Sequence, residues 1–165
     1  MDIVVVDEND NIIGSKPRDT LDYSTDIYRV SALWVTNSKG EVLIAQRKHT
    51  KKHDPGKWSP AVAGTVESHE TYESNMYKEA EEEIGLKGYI FELGPKQFVV
   101  HNKRFFVQWY FCTVDKEANE FVPQEDEVEQ VKWIQKDELI KDVSLNPDKY
   151  VASMPAALKT LYPEN

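Results

Sequence analysis

The apolar residues of this chain fall mostly in short runs separated by turn residues, and only once in a long helical period. Residues 3–6 (IVVV) form a β-branched run ended by the turn-rich DENDN, and residues 12–14 read as the returning strand. Residues 15–27 carry Pro17, Arg18 and scattered acids without a period and read as a connecting arm. YRVSALWVT over 28–36, the turn NSKG and EVLIAQ over 41–46 predict a hairpin. Residues 61–66 are small and apolar, suiting a buried strand.

Residues 70–83 then carry Met76, Tyr77 and Ala80, with Ile84 following, at core spacing on a helix stopped by Gly85. Residues 89–100 and 104–114 predict two more strands, 131–134 a short strand, 136–141 a short helix, and 146–161 a last helix with Pro147 near its start. Strands and helices alternate without linker, repeat or low-complexity tract, so the expectation is one α/β domain over 1–165. Residues 1–27 form a strand pair and arm, and 28–165 the core.

Composition narrows the function. At 165 residues the chain buries enough surface to fold without disulfide or metal, and its single cysteine, Cys112, has no intramolecular partner. The formal charge is −9, so the surface repels polyanions, and a nucleic-acid polymer is excluded as a partner. A small phosphorylated molecule stays compatible if a bound cation inverts the local field. No apolar run reaches the length of a membrane span and no basic-then-apolar leader opens the chain, which places it in the cytoplasm. The arm covers a sheet edge or supports a homodimer. Residues 47–58 (RKHTKKHDPGKW) are the one concentrated positive patch. Lys48, Lys51, Lys52 and Lys57 are therefore candidates to meet phosphate, with Trp58 behind them to stack on a substrate group.

The chemistry concentrates at 64–86, GTVESHETYESNMYKEAEEEIGL. Glu79, Glu82 and Glu83 stand at i, i+3 and i+4 and share one helix face, where like charges cost a few tenths of a kcal/mol per pair, about 0.2–0.5. A solvated acidic face would look the same in isolation. A divalent cation would offset the repulsion, and oxygen-only ligands suit the hard ions Mg²⁺, Mn²⁺ and Ca²⁺.

The setting of that face decides the matter. Gly64, Glu70, Lys78, Glu79, Ala80, Glu82, Glu83, Gly85 and Leu86 stand in the order and spacing of the Nudix box. The chain thus resembles the Nudix hydrolases over a 23-residue motif. That resemblance implies an α/β/α sandwich with a mixed sheet, and Mg²⁺ or Mn²⁺ as cofactor. Glu79, Glu82 and Glu83 would be metal ligands, joined by a backbone carbonyl at Ala63 or Gly64, while Glu70 supports the loop. The activity implied is cleavage of a diphosphate linkage in a small molecule by water attack on phosphorus.

For the base, the resemblance points to the acidic loop PQEDEVEQVKW, where Glu127 is the best positional match. Glu125 and Glu129 are rivals, Glu79 is a further candidate, and Glu82 counts with Glu79 among the catalytic carboxylates. Lys78 replaces the family arginine and cannot make its planar fork, which predicts looser orientation of Glu79 or its neighbours.

Outside the box, VVDENDNIIG, YRVSALWVTNSKGEVLIAQR and KKHDPGKWSPAVAG resemble the branch containing isopentenyl-diphosphate isomerase. The isomerase pattern places a cysteine where this chain has Ala63, a histidine where it has Tyr28, and a carboxylate in the segment FFVQWYF, which has none. Hydrolase is therefore preferred over isomerase, and over an inactive binding module with no use for clustered carboxylates. His49, His53, His69 and His101 show no metal-ligand spacing.

Overall fold

The β-branched and aromatic runs all become strands of one mixed sheet. The structure is a computed structural model and describes residues 1–164. Its strands are Asp2–Val6 (β1), Ile12–Pro17 (β2), Ile27–Thr36 (β3), Glu41–Arg47 (β4), Trp58–Pro60 (β5), Val62–Thr65 (β6), Glu92–Val100 (β7), Arg104–Thr113 (β8) and Val128–Gln135 (β9). Its helices are Tyr72–Ile84 (α1), Lys136–Leu145 (α2) and Met154–Leu161 (α3).

β3 is the hub. It runs parallel to β8 from Tyr28↔Phe105 to Thr36↔Thr113, and antiparallel to β6 from Val30↔Thr65 to Leu33↔Val62. Successive β3 side chains point to opposite faces. Leu33 and Val35 join Met76, Ala80 and Ile84 of α1, while Ala32 and Trp34 join Leu139 and Val143 of α2 and Met154 and Leu158 of α3. The sheet is thereby covered on both faces, giving the expected α/β/α sandwich. Leu33 and Ile84 are fully buried. Each contributes about 2 kcal/mol of transfer free energy to holding α1 on the sheet.

The structure departs from the sequence expectations in several places. The 28–36/41–46 hairpin is pinned only at Thr36↔Val42, because β6 lies along β3 while β5 and β9 pair with β4, so the two strands diverge. The strand expected over 61–66 is β6, preceded by the separate short β5, and the two carry the chain from β4 to β3. Residues 12–14 extend to Pro17 because β2 pairs with β1 along its whole length. The short strand expected at 131–134 begins at Val128, since its register with β4 reaches Arg47.

The last helix, expected over 146–161, is broken. Pro147–Lys149 is a 3-10 turn, Tyr150 bridges to Trp58, and α3 starts only at Met154 with Pro155 in its first turn. Burial of Tyr150, whose hydroxyl donates to Asp142 Oδ2 at 2.7 Å, outweighs continuing the helix. Tyr77, expected in the core, is 37% exposed and stacks on Phe91 at 4.3 Å between centroids. Among the described residues no helix is long and apolar enough to cross a membrane.

Candidate active site

α1 begins where Thr71 and Ser74 cap one another: the Ser74 N–H donates to Thr71 Oγ1 at 3.1 Å and the Thr71 N–H to Ser74 Oγ at 2.9 Å. It ends at Gly85, whose φ of 67° is left-handed and whose N–H closes on the last turn. Met76, Ala80 and Ile84 face the core, which leaves Glu79, Glu82 and Glu83 turned toward β6 and the loops after β4 and before β9.

A cavity of about 770 Å³ lies there. Ala63 and Gly64 of β6, Glu67, Lys78, Glu79, Glu82, Glu83, Gln124 and Glu127 line its acidic side. Arg18, Arg47, Lys51, His53 and Lys103 also reach it, with Met1 and Val30 supplying apolar surface. Glu79, Glu82, Glu83 and Glu127 are thus brought together, along with Ala63 and Gly64. Of the basic candidates, Lys51 lines the cavity, whereas Lys48, Lys52, Lys57 and Trp58 do not. Lys48 faces Glu129 at 3.4 Å and Lys57 faces Asp54 at 3.7 Å. Trp58 packs on the α2/α3 side beneath Lys132, whose Nζ lies 4.3 Å from the ring centroid. The strand alternation that places Ala45 and Val62 toward α1 sends Trp58 the other way.

Gly64 is required by proximity. A Cβ there would fall 2.7 Å from Glu79 Cδ, so the bare backbone of β6 is what lets the carboxylate in. Burial pushes the Glu79 carboxyl above its usual range, with Lys78 opposing and Glu82 adding to the rise. Glu83 is ringed by protein atoms: burial first, then repulsion from Glu79, hold it well above the ordinary carboxylate value despite a hydrogen bond from the Ala63 main chain. Two neighbouring carboxyls disfavoured as anions form a donor set that a hard divalent cation would relieve. By that chemistry the residues fit Mg²⁺ or Mn²⁺.

Lys78 does more than the arginine comparison implies. Its ammonium lies 2.8 Å from Glu67, 2.9 Å from Glu70 and 3.5 Å from Glu79, so one cation stands among three carboxylates. Glu70 supports the loop, accepting from the Glu67 N–H at 2.9 Å, and hydrogen bonds led by Lys78 outweigh its burial and keep it ionised. Glu67, His69 and Glu70 are the one described group whose ligand atoms gather within 4.8 Å. Lys78 sits against both of its carboxylates, so this group already has a cation of its own.

Sequence reasoning missed Arg18, Arg47 and Lys103. Arg47 adjoins the basic patch and was within reach of it; Arg18 and Lys103 come from the arm and the β7–β8 turn, which no local pattern connects to the box. Among the described residues neither Arg18 nor Lys103 has a carboxylate within ion-pair distance.

A helix bearing carboxylates lies against the Gly64 strand, and carboxylates and cationic side chains line the same cavity. The chain belongs to the NUDIX domain family, which it matches over residues 27–154. It is 25% identical over 160 residues to a prenyl-diphosphate phosphatase of Methanosarcina mazei, covering 96% of this chain and 94% of that one. It is 28% identical over 155 residues to an isopentenyl-diphosphate Delta-isomerase of Corynebacterium glutamicum, covering 88% and 82%. A crystal structure of a Deinococcus radiodurans protein superposes with a TM-score of 0.85 at 20% identity, covering 98% of this chain and 99% of that one.

Proposed function

We propose that the chain is a divalent-metal-dependent hydrolase of a small diphosphate compound. The observation that carries this reading is the pairing of Glu79 and Glu83, both disfavoured as anions, with a cavity whose other walls bear Arg18, Arg47, Lys51 and Lys103. Glu79, Glu82 and Glu83 would hold Mg²⁺ or Mn²⁺, with a main-chain carbonyl of Ala63 or Gly64 as a further ligand. When bound, the cation neutralises the diphosphate and acidifies water. The cationic side chains orient the phosphoryl oxygens. Water attacks phosphorus, a new P–O bond forms as the anhydride P–O bond breaks, and the proton passes to a cavity carboxylate, Glu79 or Glu127.

The M. mazei relative puts prenyl diphosphates first among substrates to try, with nucleoside diphosphate derivatives next. Isomerisation is disfavoured because Ala63 offers no thiol. The one cysteine, Cys112, is buried in the core, where burial pushes its thiol up to about 11.

The test is phosphate release from such a panel with Mg²⁺ and Mn²⁺. E82Q and E83Q should each lower turnover by at least about a hundredfold while thermal unfolding stays within a few degrees of the parent. Near-parental turnover in both variants would overturn the metal role.

A further inference from the structure

Glu127 shares the cavity with the α1 carboxylates but is not free to join them. Its Oε2 accepts from Lys51 Nζ at 2.5 Å, and both side chains line the cavity. The two loops that carry them are fastened independently of this pair. The Lys48 N–H donates to the Glu127 carbonyl at 3.1 Å, Lys48 faces Glu129 at 3.4 Å, and the Gln124 N–H donates to the Glu83 carbonyl at 2.8 Å. The side-chain pair can therefore open while the backbone stays in place. The pair is 25% and 38% exposed, a setting in which an ion pair contributes only about 0.2–1 kcal/mol. A phosphoryl group offers Lys51 more than one anionic oxygen and competes well against a single carboxylate.

Resting on the hydrolase reading, we propose that Lys51 and Glu127 form a substrate-operated latch. A phosphoryl group entering the cavity draws Lys51 away, and the released Glu127 adds an oxygen ligand to the cation held by Glu79, Glu82 and Glu83. Glu127 lines the same cavity as Glu79, Glu82 and Glu83, on a loop tied to Glu83 by the Gln124 N–H. The latch keeps the fourth carboxylate off the cation until an anion arrives, so the empty site binds metal less tightly than the loaded one.

The experiment is Mn²⁺ titration of the substrate-free protein by electron paramagnetic resonance, across a double-mutant cycle. E127Q alone should not tighten Mn²⁺ binding, because Glu127 is not a ligand while Lys51 holds it and its removal leaves the Lys51 charge unpaired beside the site. K51M should tighten binding about three- to fivefold, the equivalent of releasing a part-exposed ion pair. K51M combined with E127Q should return affinity to the parental value. K51Q, which keeps much of the stem, should behave as K51M does, and thermal unfolding checks that all variants fold. Equal tightening by K51M with and without E127Q would mean that only a nearby positive charge was removed, and overturns the latch. No change with K51M overturns it as well. If the parent binds no Mn²⁺ at all, the metal reading itself falls and the latch with it, an outcome plainly different from binding without coupling.

Discussion

Replacing Gly64 with alanine tests whether the approach of β6 to α1 sets the site. The added methyl would lie 2.7 Å from Glu79 Cδ and 3.1 Å from Oε1, the first closer than a real Cβ approaches its neighbours. Backbone strain does not enter, since Gly64 has no left-handed φ. β6 is held by four register pairs with β3, so the Glu79 side chain, not the strand, must give way. Crowding of this kind costs about 1–3 kcal/mol. Reduced freedom of the unfolded chain returns about 0.4–1 kcal/mol. The net is about 1–2 kcal/mol, or a melting temperature lowered by about 3–6 °C for a chain of this size. Function should suffer more. A carboxylate displaced by about 1 Å at a reacting centre costs about a hundredfold in rate. G64A should therefore melt a few degrees early, by scanning fluorimetry, yet lose about two orders of magnitude in Mg²⁺-dependent phosphate release. A folded variant with parental kcat and metal activation would refute the argument, because Glu79 would then tolerate displacement.

Two further outcomes follow from the ion pairs. Lys78 faces Glu70, whose side chain is 5% exposed, so K78M strands a buried carboxylate. It should destabilise by about 3–5 kcal/mol, visible as a drop of roughly 6–15 °C, while K78R loses much less. Asp10 sits at a φ of 62° that asparagine also accepts, so D10N probes charge without disturbing the turn. Burial alone would raise the Asp10 carboxyl, but hydrogen bonds from Lys96, Arg29 and Tyr72 outweigh it and hold it below the ordinary value. Its stabilisation is thus complete above the unfolded carboxyl value near about pH 4 and is lost as pH falls through the lower folded value. Urea unfolding from pH 6 to pH 2 should show the parent losing its advantage over D10N only below about pH 4. An advantage constant across that range would contradict the assignment.

The local features that the sequence declared were those carried by local periodicity. Met76, Ala80 and Ile84 announce the buried side of α1, and the carboxylates at 79, 82 and 83 lie on the side left over. Gly64 stood out as a position of the motif, but the close approach it permits, to Glu79 Cδ fifteen residues on, belongs to the fold. The two covered faces of the sheet were expected from the family resemblance, and alternation along β3 carries them out. Alternation does not say that β5, β6 and β9 draw β3 and β4 apart, because pairing choice depends on distant edges. Trp58 looked like part of the basic loop from its neighbours, and its strand position turns it to the opposite layer. Arg18 and Lys103 were invisible for the same reason: they meet the box only through tertiary folding. Lys78 was read against the family arginine alone, and only the fold shows Glu67, Glu70 and Glu79 around its ammonium.

The residues that match the family start at Ile27, yet Met1 and Arg18 line the cavity and Val4 and Val6 belong to a buried cluster with Ile27 and Val66. A shortened protein cut at that boundary would keep every carboxylate of the motif and lose part of the vessel that surrounds them. Transplanting the motif onto another scaffold would fail in the same manner. A portion of the cavity wall is thus written in the first eighteen residues, ahead of the segment shared with the family.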